Sequence, residues 1–253
     1  MILYFSGTGN SLSVAKKTAV LTGDTAIHIS DLMGDGTKIY DERIGIIFPV
    51  FFFDMPNPMR VFVEYTRFNP SAYIYGIATC GGSEGNAIYN LKNILLHKNC
   101  RLSYGNVLKM PCSSTIASRR NIKYKLNYLE EQEKRVQDIS QDILQKRKNS
   151  DSITYKIKGS IFNIGFINKK AKKYFAVSVD TNICVECGIC EQICPNNNIV
   201  LDEAGVHIGA DCSYCMACVH WCPHAAIKIH GKHVQIKDQY HHPDIGLSEM
   251  YRR

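Results

Sequence analysis

The spacing of hydrophobic positions changes twice along the chain. Ile2–Phe5 is a short apolar run that predicts a strand. After Ser6–Ser11 the spacing becomes helical, with Leu12, Ala15 and Ala19 on one face. Ala26–Ile29 predicts a weak strand and Ile44–Val50 a continuous apolar one, as expected where both faces of a sheet are covered. Pro58–Tyr65 predicts a short helix opened by proline. Tyr73–Thr79 predicts a strand, Asn86–His97 a helix and Leu102–Met110 a strand. Lys123–Lys148 predicts a long polar helix with an apolar stripe of Leu126, Leu129, Val136, Ile139 and Ile143. Strands alternating with helices predict an α/β fold over residues 1–148, a doubly wound five-stranded parallel sheet.

The pattern then fades. Residues 149–174 predict a connector: 149–158 are polar, and Phe162, Ile164, Phe166 and Ile167 in its second half are placed to pack one domain on the other. Residues 175–230 are poor in large apolar side chains, and so short a segment buries too little surface to fold unaided. Residues 231–253 form a tail.

That short segment carries one cysteine pattern twice. Cys184, Cys187, Cys190 and Cys194 precede Pro195; 28 residues on, Cys212, Cys215, Cys218 and Cys222 precede Pro223. C-x2-C-x2-C-x3-C-P is the spacing of bacterial [4Fe-4S] ligands. Two-residue gaps let one tight loop supply three thiolates, and the fourth comes from farther away. In the two-cluster arrangement the fourth cysteine of each run serves the other cluster. Cys184, Cys187, Cys190 and Cys222 then form one ligand set, and Cys212, Cys215, Cys218 and Cys194 the other. The prolines end each loop by fixing φ. Zinc ribbons use C-x2-C pairs without the third cysteine, and the clusters would supply the core that the segment lacks.

At the other end, Ser6-Gly-Thr-Gly-Asn-Ser11 joins the first strand to the first helix. Strand, Gly/Ser/Thr loop, helix is a phosphate-binding layout, because backbone N–H groups, hydroxyls and the helix N-terminus face the anion. Gly7 and Gly9 allow close backbone approach. A Walker lysine and a G-x-G-x-x-G dinucleotide pattern are both missing. The alternative is an ordinary strand-to-helix turn. A doubly wound sheet binds ligands where its strand order reverses. The loops there fit a flavin: Pro49, Val50, Phe51 and Phe52 offer apolar surface for a ring, and Thr79, Cys80, Gly81 and Gly82 offer backbone for its edge. The competing reading packs the phenylalanines under helices and leaves the glycines to a turn.

Together, Phe5-Ser-Gly-Thr-Gly-Asn-Ser11, Pro49-Val50 with its aromatic loop, Ala78-Thr-Cys-Gly-Gly82, both cysteine runs and the tail motif Tyr240-His-His-Pro243 resemble the fused flavodoxin–ferredoxin proteins of anaerobes. The resemblance covers nearly the whole chain. It implies a flavodoxin-like domain followed by a small α+β bacterial-type two-cluster ferredoxin domain. It also implies FMN, and electron transfer between flavin and clusters. By that resemblance Ser6, Thr8, Gly9, Asn10 and Ser11 hold the phosphate. The chain departs from ordinary flavodoxins in lacking a Trp or Tyr at an obvious ring-stacking position, and in its charge.

The 253 residues carry a net charge of +7. Arg119-Arg120, Lys146-Arg-Lys148 and Lys169-Lys-Ala-Lys-Lys173 concentrate it. They read as a solvated face, or as a docking patch for an acidic redox partner or an anionic substrate. No nucleic-acid motif accompanies them. The longest apolar run, Ile44–Phe53, contains Pro49 and falls short of the ~20 residues of a membrane span. The chain start lacks a basic signal-peptide region, so a reducing cytoplasm is expected for the cysteines. Cys80 stands in the flavin loop; Cys100 and Cys112 are expected to pack. Trp221 is expected to shield a cluster, and His241 and His242 to contact the sheet rather than a metal. No dedicated catalytic acid, base or nicotinamide motif is present, and the oligomeric state is not legible. The expected function is electron transfer between FMN, two [4Fe-4S] clusters and a redox protein. The alternative is a ferredoxin-type carrier whose flavodoxin-like domain is a flavin-free docking scaffold.

Overall fold

The computed structural model describes residues 1–32, 34, 36–117, 124–155 and 173–251. The chain divides into two compact units. The first comprises Met1–Ser6, Asn10–Pro111 and Lys125–Phe162; the second comprises Gly7–Gly9, Cys112–Tyr124 and Asn163–Arg253.

The first unit is built on a five-stranded parallel sheet. Its strands are β1 (Ile2–Tyr4), β2 (Ala26–His28), β4 (Arg43–Pro49), β6 (Tyr73–Cys80) and β7 (Leu102–Lys109), in the order β2-β1-β4-β6-β7. Counting only these five, that is order 2-1-3-4-5, the flavodoxin-like doubly wound arrangement. Leu3 pairs with Ile27 on one side and Ile46 on the other, and Phe48 pairs with Ala78. Two short strands that the sequence pattern does not predict, β3 (Lys38–Ile39) and β5 (Arg67–Phe68), pair in parallel as a separate ribbon.

Alternation assigns the two faces of the sheet. Tyr73, Tyr75 and Ile77 of β6 join one core with Ile2, Ile47, Tyr104 and Leu108. Val14, Ala15 and Ala19 of α1 (Asn10–Thr22), and Val136, Ile139 and Ile143 of α4 (Asn127–Leu144), cover that face. On the opposite face, α3 (Ala87–His97) lies so close that a Cβ on Gly76 would stand 2.6 Å from Leu91 Cδ2. Helix α2 (Asn57–Tyr65) begins with Pro58 near its first turn, where a missing N–H costs nothing. Helix α4 is shorter than the predicted Lys123–Lys148. It ends at Leu144 because Lys146 takes a left-handed backbone (φ 50°) that reverses the chain. At its other end Leu126 is 55% exposed and leaves the apolar stripe, while Gln132 is buried and donates through Nε2 to Ser13 Oγ at 3.2 Å. Cys100 is buried, as expected.

In the second unit the cysteine repeat is also a repeat of backbone. The single-turn helices α5 (Ile189–Gln192) and α6 (Ala217–His220) stand 28 residues apart. Left-handed residues repeat at the same interval: Glu186 with Tyr214, Gly188 with Met216, and Asn197 with Ala225. Strands β8 (Val177–Val179) and β9 (Ile199–Asp202) belong to the first copy, and β10 (Gly205–Ile208) and β11 (Ile227–Ile229) to the second. They pair across copies, β8 with β11 and β9 with β10, both antiparallel. The core between them contains Cys194, Cys218, Cys222, Ile199, Met216, Val219 and Ile227. This is a small α+β ferredoxin-type unit. Among the described residues no helix is long and apolar enough to cross a membrane. The predicted connector packing at Phe162–Ile167 lies outside the described residues, as do Arg119, Arg120 and Lys169–Lys170.

Candidate metal centres and flavin loops

The exchange of strands between copies carries the cysteines with it. Cys222 of the second run lines one cavity with Cys184, Cys187 and Cys190 of the first, and Val185, Val206 and Ile227 close its sides. Burial pushes the Cys190 thiol up to about 11, and the charges of Cys222, Cys184 and Cys187 push the same way. The second set gathers likewise. Burial pushes the Cys215 thiol up to about 12, with Cys194 and Cys212 adding to the shift. Burial raises Cys218 well above an ordinary thiol, with Cys215, Cys212, Cys194 and then Cys190 contributing. Buried thiols such as Cys190, Cys215 and Cys218 resist ionising on their own; a bound metal reverses this by coordinating the thiolate.

Hydrogen bonds toward sulfur repeat as well. Asn198 N–H donates to Cys194 Sγ at 3.4 Å, and 28 residues on Ala226 N–H donates to Cys222 Sγ at 3.2 Å. Among the described residues no three Cys, His, Asp or Glu side chains converge as they would around a single ion. A cubane holds its four thiolates apart, one on each of four irons. Asp180 organises the start of the first loop. Its carbonyl accepts from Cys184 N–H at 2.9 Å. Its carboxylate accepts from Asn182 N–H at 3.0 Å and pairs with Lys228 and His233. The hydrogen bond from Asn182 N–H, first, holds it below its ordinary value; burial opposes this, and the Lys228 ammonium adds to the lowering.

Trp221 and the tail pack on Gly7–Gly9. Trp221 Nε1–H donates to Gly7 O at 3.2 Å, and the indole stacks on His241 with ring centroids 4.3 Å apart. A Cβ on Gly7 would stand 2.7 Å from Cys215 O. His242 N–H donates to Thr8 O at 2.9 Å. Gly9 has φ 89°, and a Cβ there would meet His242 Cβ at 3.0 Å and Ile245 Cβ at 3.1 Å. Both glycines are therefore required by close approach, and the neighbours are this chain's own residues. His220 is buried and neutral: Nε2–H donates to Ser113 O at 3.0 Å, and Nδ1 accepts Tyr240 N–H at 2.9 Å. Burial lowers it to about 4.

The remaining flavin candidates belong to the first unit. Ser6, Asn10 and Ser11 are buried. Ser11 Oγ lies 2.8 Å from Thr79 Oγ1, and Asn10 Nδ2 donates to Pro111 O at 2.9 Å. Pro49 ends β4, and Val50 N–H donates to Thr79 O at 2.9 Å. Phe51 and Asp54 bridge a tight turn whose two central residues, Phe52 (φ 50°) and Phe53 (φ 62°), are both left-handed. Such a turn favours Asn-Gly, and each bulky residue in it costs about 1–3 kcal/mol. The Asp54 carboxylate holds the turn, accepting from Met55 N–H at 2.6 Å, from Asn90 Nδ2 at 2.8 Å and from Arg60 Nη2 at 2.7 Å. Asn86 N–H donates to Phe53 O at 2.9 Å. The Phe51 ring meets Phe5 edge-on, with centroids 6.1 Å apart.

Cys80 is buried and its Sγ–H donates to Gly82 O at 3.2 Å. Burial raises its pKa, while the nearby Lys109 ammonium opposes the rise. Lys109 donates to both Cys80 Sγ and Gly82 O. A Cβ on Gly82 would meet nothing within 4 Å, and Gly81 is half-buried. Lys109 and the Asp54 clamp were not legible as site residues; only the pairing of Cys80 with Lys109 across β6 and β7 brings that lysine to the loop. Cys112 is half-buried, with Sγ 3.1 Å from Ser114 Oγ.

Residues 177–200 match the 4Fe-4S binding domain family (Fer4), so a 4Fe-4S binding domain is present in the second unit. A ferredoxin of Pyrobaculum islandicum is 40% identical over 57 residues, 22% of this chain and 53% of that protein. Among solved structures, a Bacteroides uniformis protein described as a flavoprotein aligns with a TM-score of 0.34 and 20% identity, over 43% of this chain and 88% of that one. The Trp repressor binding protein of Bacillus subtilis aligns with a TM-score of 0.38 and 12% identity, over 57% and 97%. The chain spans about half the length of the curated relative it matches.

Proposed function

We propose that this chain is an electron carrier of the fused flavodoxin–ferredoxin kind, with two [4Fe-4S] clusters in the second unit and FMN at the loops of the flavodoxin-like sheet. One observation carries the reading: eight cysteines from two runs gather as two sets of four, each set taking its last member from the other run. A bound flavin exchanges one or two electrons and a cluster exchanges one. The chain's own part is to bind, space and shield these groups. Ser6, Gly7, Thr8, Gly9, Asn10 and Ser11 would hold the FMN phosphate at the start of α1. Pro49, Val50, Phe51 and Phe52 would flank the ring, and Thr79, Cys80, Gly81 and Gly82 its edge. The working location is a reducing cytoplasm, which keeps thiols available for iron.

Specific contacts favour the flavin-free scaffold as the second reading. Ser11 Oγ and Asn10 Nδ2 already bond to Thr79 and Pro111, and the space beside Gly9 is taken by His242 and Ile245. Composition of anaerobically purified protein separates the two. About eight iron and eight sulfide per chain, with acid-releasable FMN, support the first reading. The same iron without flavin supports the scaffold. Zinc as the dominant metal overturns both.

A further inference from the structure

The two sets of thiols differ in exposure. Cys187 is exposed, and its loop also exposes two apolar side chains, Ile183 (39%) and Val185 (56%). In the other set Cys194, Cys215 and Cys218 are buried, and Gly7 lies against the Cys215 carbonyl. Cys212 of that set is half-buried, so the fully exposed ligand candidate among the eight is Cys187 of the first set.

Carboxylates stand beside that opening. Glu186, next to Cys187, places Oε1 3.4 Å from the Cβ position of Gly205, beside the turn that carries Asp202 and Glu203. Among the described residues Glu186 and Glu203 form no ion pair, and Asp202 faces His207 at 3.1 Å, a cation only when protonated. Lys228, next in the chain to Ile227 of the cavity wall, is paired with Asp180 at 3.3 Å, and His224 lines the cavity itself. The net charge of +7 describes the chain, not this face. Screening confines each exposed charge to about 8–10 Å, so the local acids govern what docks here.

We propose that the face formed by Ile183, Val185, Glu186, Cys187 and the Asp202–Glu203 turn is the docking surface for a basic redox protein. The carboxylates steer its positive charge, and Ile183 and Val185 meet the apolar centre of its contact patch. The proposal rests on the reading that Cys184, Cys187, Cys190 and Cys222 hold a cluster.

Zinc-substituted cytochrome c, a basic redox-protein surface, serves as the binding probe for the iron-loaded chain, followed by fluorescence anisotropy across a salt series. Glu186→Gln with Glu203→Gln is expected to weaken binding about two- to tenfold at low salt and to flatten its salt dependence. Val185→Ser is expected to weaken binding about threefold while keeping the salt slope. Glu130→Gln on α4 is expected to change neither. Unaltered binding in the double variant, with its iron retained, overturns the docking surface alone. Equal weakening by Glu130→Gln also overturns it, because the attraction would then belong to the whole chain's field. Iron content is measured on each sample, so a parent chain that takes up no iron overturns the cluster reading, and the docking surface with it.

Discussion

Replacing cysteines two at a time tests whether the ligand sets cross between runs. With crossed sets, Cys194 belongs with Cys212, Cys215 and Cys218, and Cys222 with Cys184, Cys187 and Cys190, whose cavity it lines. Cys194→Ala with Cys212→Ala then places both losses in one set. About four of about eight irons should remain. Cys184→Ala with Cys222→Ala should match it from the other side. Cys184→Ala with Cys194→Ala instead takes one ligand from each set, so both clusters are left with three and iron should fall toward zero. Uncrossed sets predict the opposite: the Cys184/Cys194 variant would keep four irons, and the other two would lose both clusters. The folding consequences run in parallel. Cys194, Cys218 and Cys222 sit in one core with Ile199, Val219 and Ile227, and metal binding supplies folding free energy in such small units. The Cys184/Cys194 variant should therefore lose the cooperative melting of the second unit. Iron and sulfide analysis of anaerobic protein, with paramagnetic spectra after dithionite reduction, reads the result. A Cys184/Cys194 variant with one intact cluster would refute the crossing.

Three further outcomes are expected. Gly7→Ala should lower the melting temperature, because its Cβ would meet Cys215 O at 2.7 Å and overpacking costs about 1–3 kcal/mol; calorimetry showing no shift would mean that the loop relaxes freely. Thr8→Ala with Ser11→Ala should weaken FMN at least about tenfold in a titration, and unchanged affinity would place the phosphate elsewhere. Asp24 gives a pH test. Burial alone would raise its carboxyl, but hydrogen bonds from Arg43 Nε at 2.9 Å and Thr22 Oγ1 at 2.8 Å outweigh it and leave it below its ordinary value. The folded chain then binds fewer protons than the unfolded one just below that value, so the contribution is complete above it and is lost as pH falls through the lowered one. Asp24→Asn should cost about 1–3 kcal/mol at neutral pH, and denaturant titrations should show the deficit shrinking below about pH 4.

Much of the architecture was legible because it rests on local periodicity. The apolar run Ile44–Val50 and the alternating strands and helices around it specify a parallel sheet, since only a strand covered on both faces can be apolar throughout. The cysteine spacing specified iron–sulfur chemistry, because ligand geometry is set within one short loop. Other features depend on residues distant in sequence. Leu126 fits the helical stripe yet is exposed, whereas Gln132 is buried where Ser13 can bond it. Phe52 and Phe53 occupy left-handed backbone that their own preferences oppose; the Asp54 contacts with Arg60 and Asn90 hold them there. Met216 adopts the conformation of its counterpart Gly188 because the strand pairing of the two copies imposes one backbone on both. The repeat in the sequence determined how many cysteines the two runs hold and how they are spaced. Which four gather, which set is open at Cys187, and what fills the space beside Gly9 were decided only by tertiary packing, because those answers depend on segments that meet across the fold rather than along the chain.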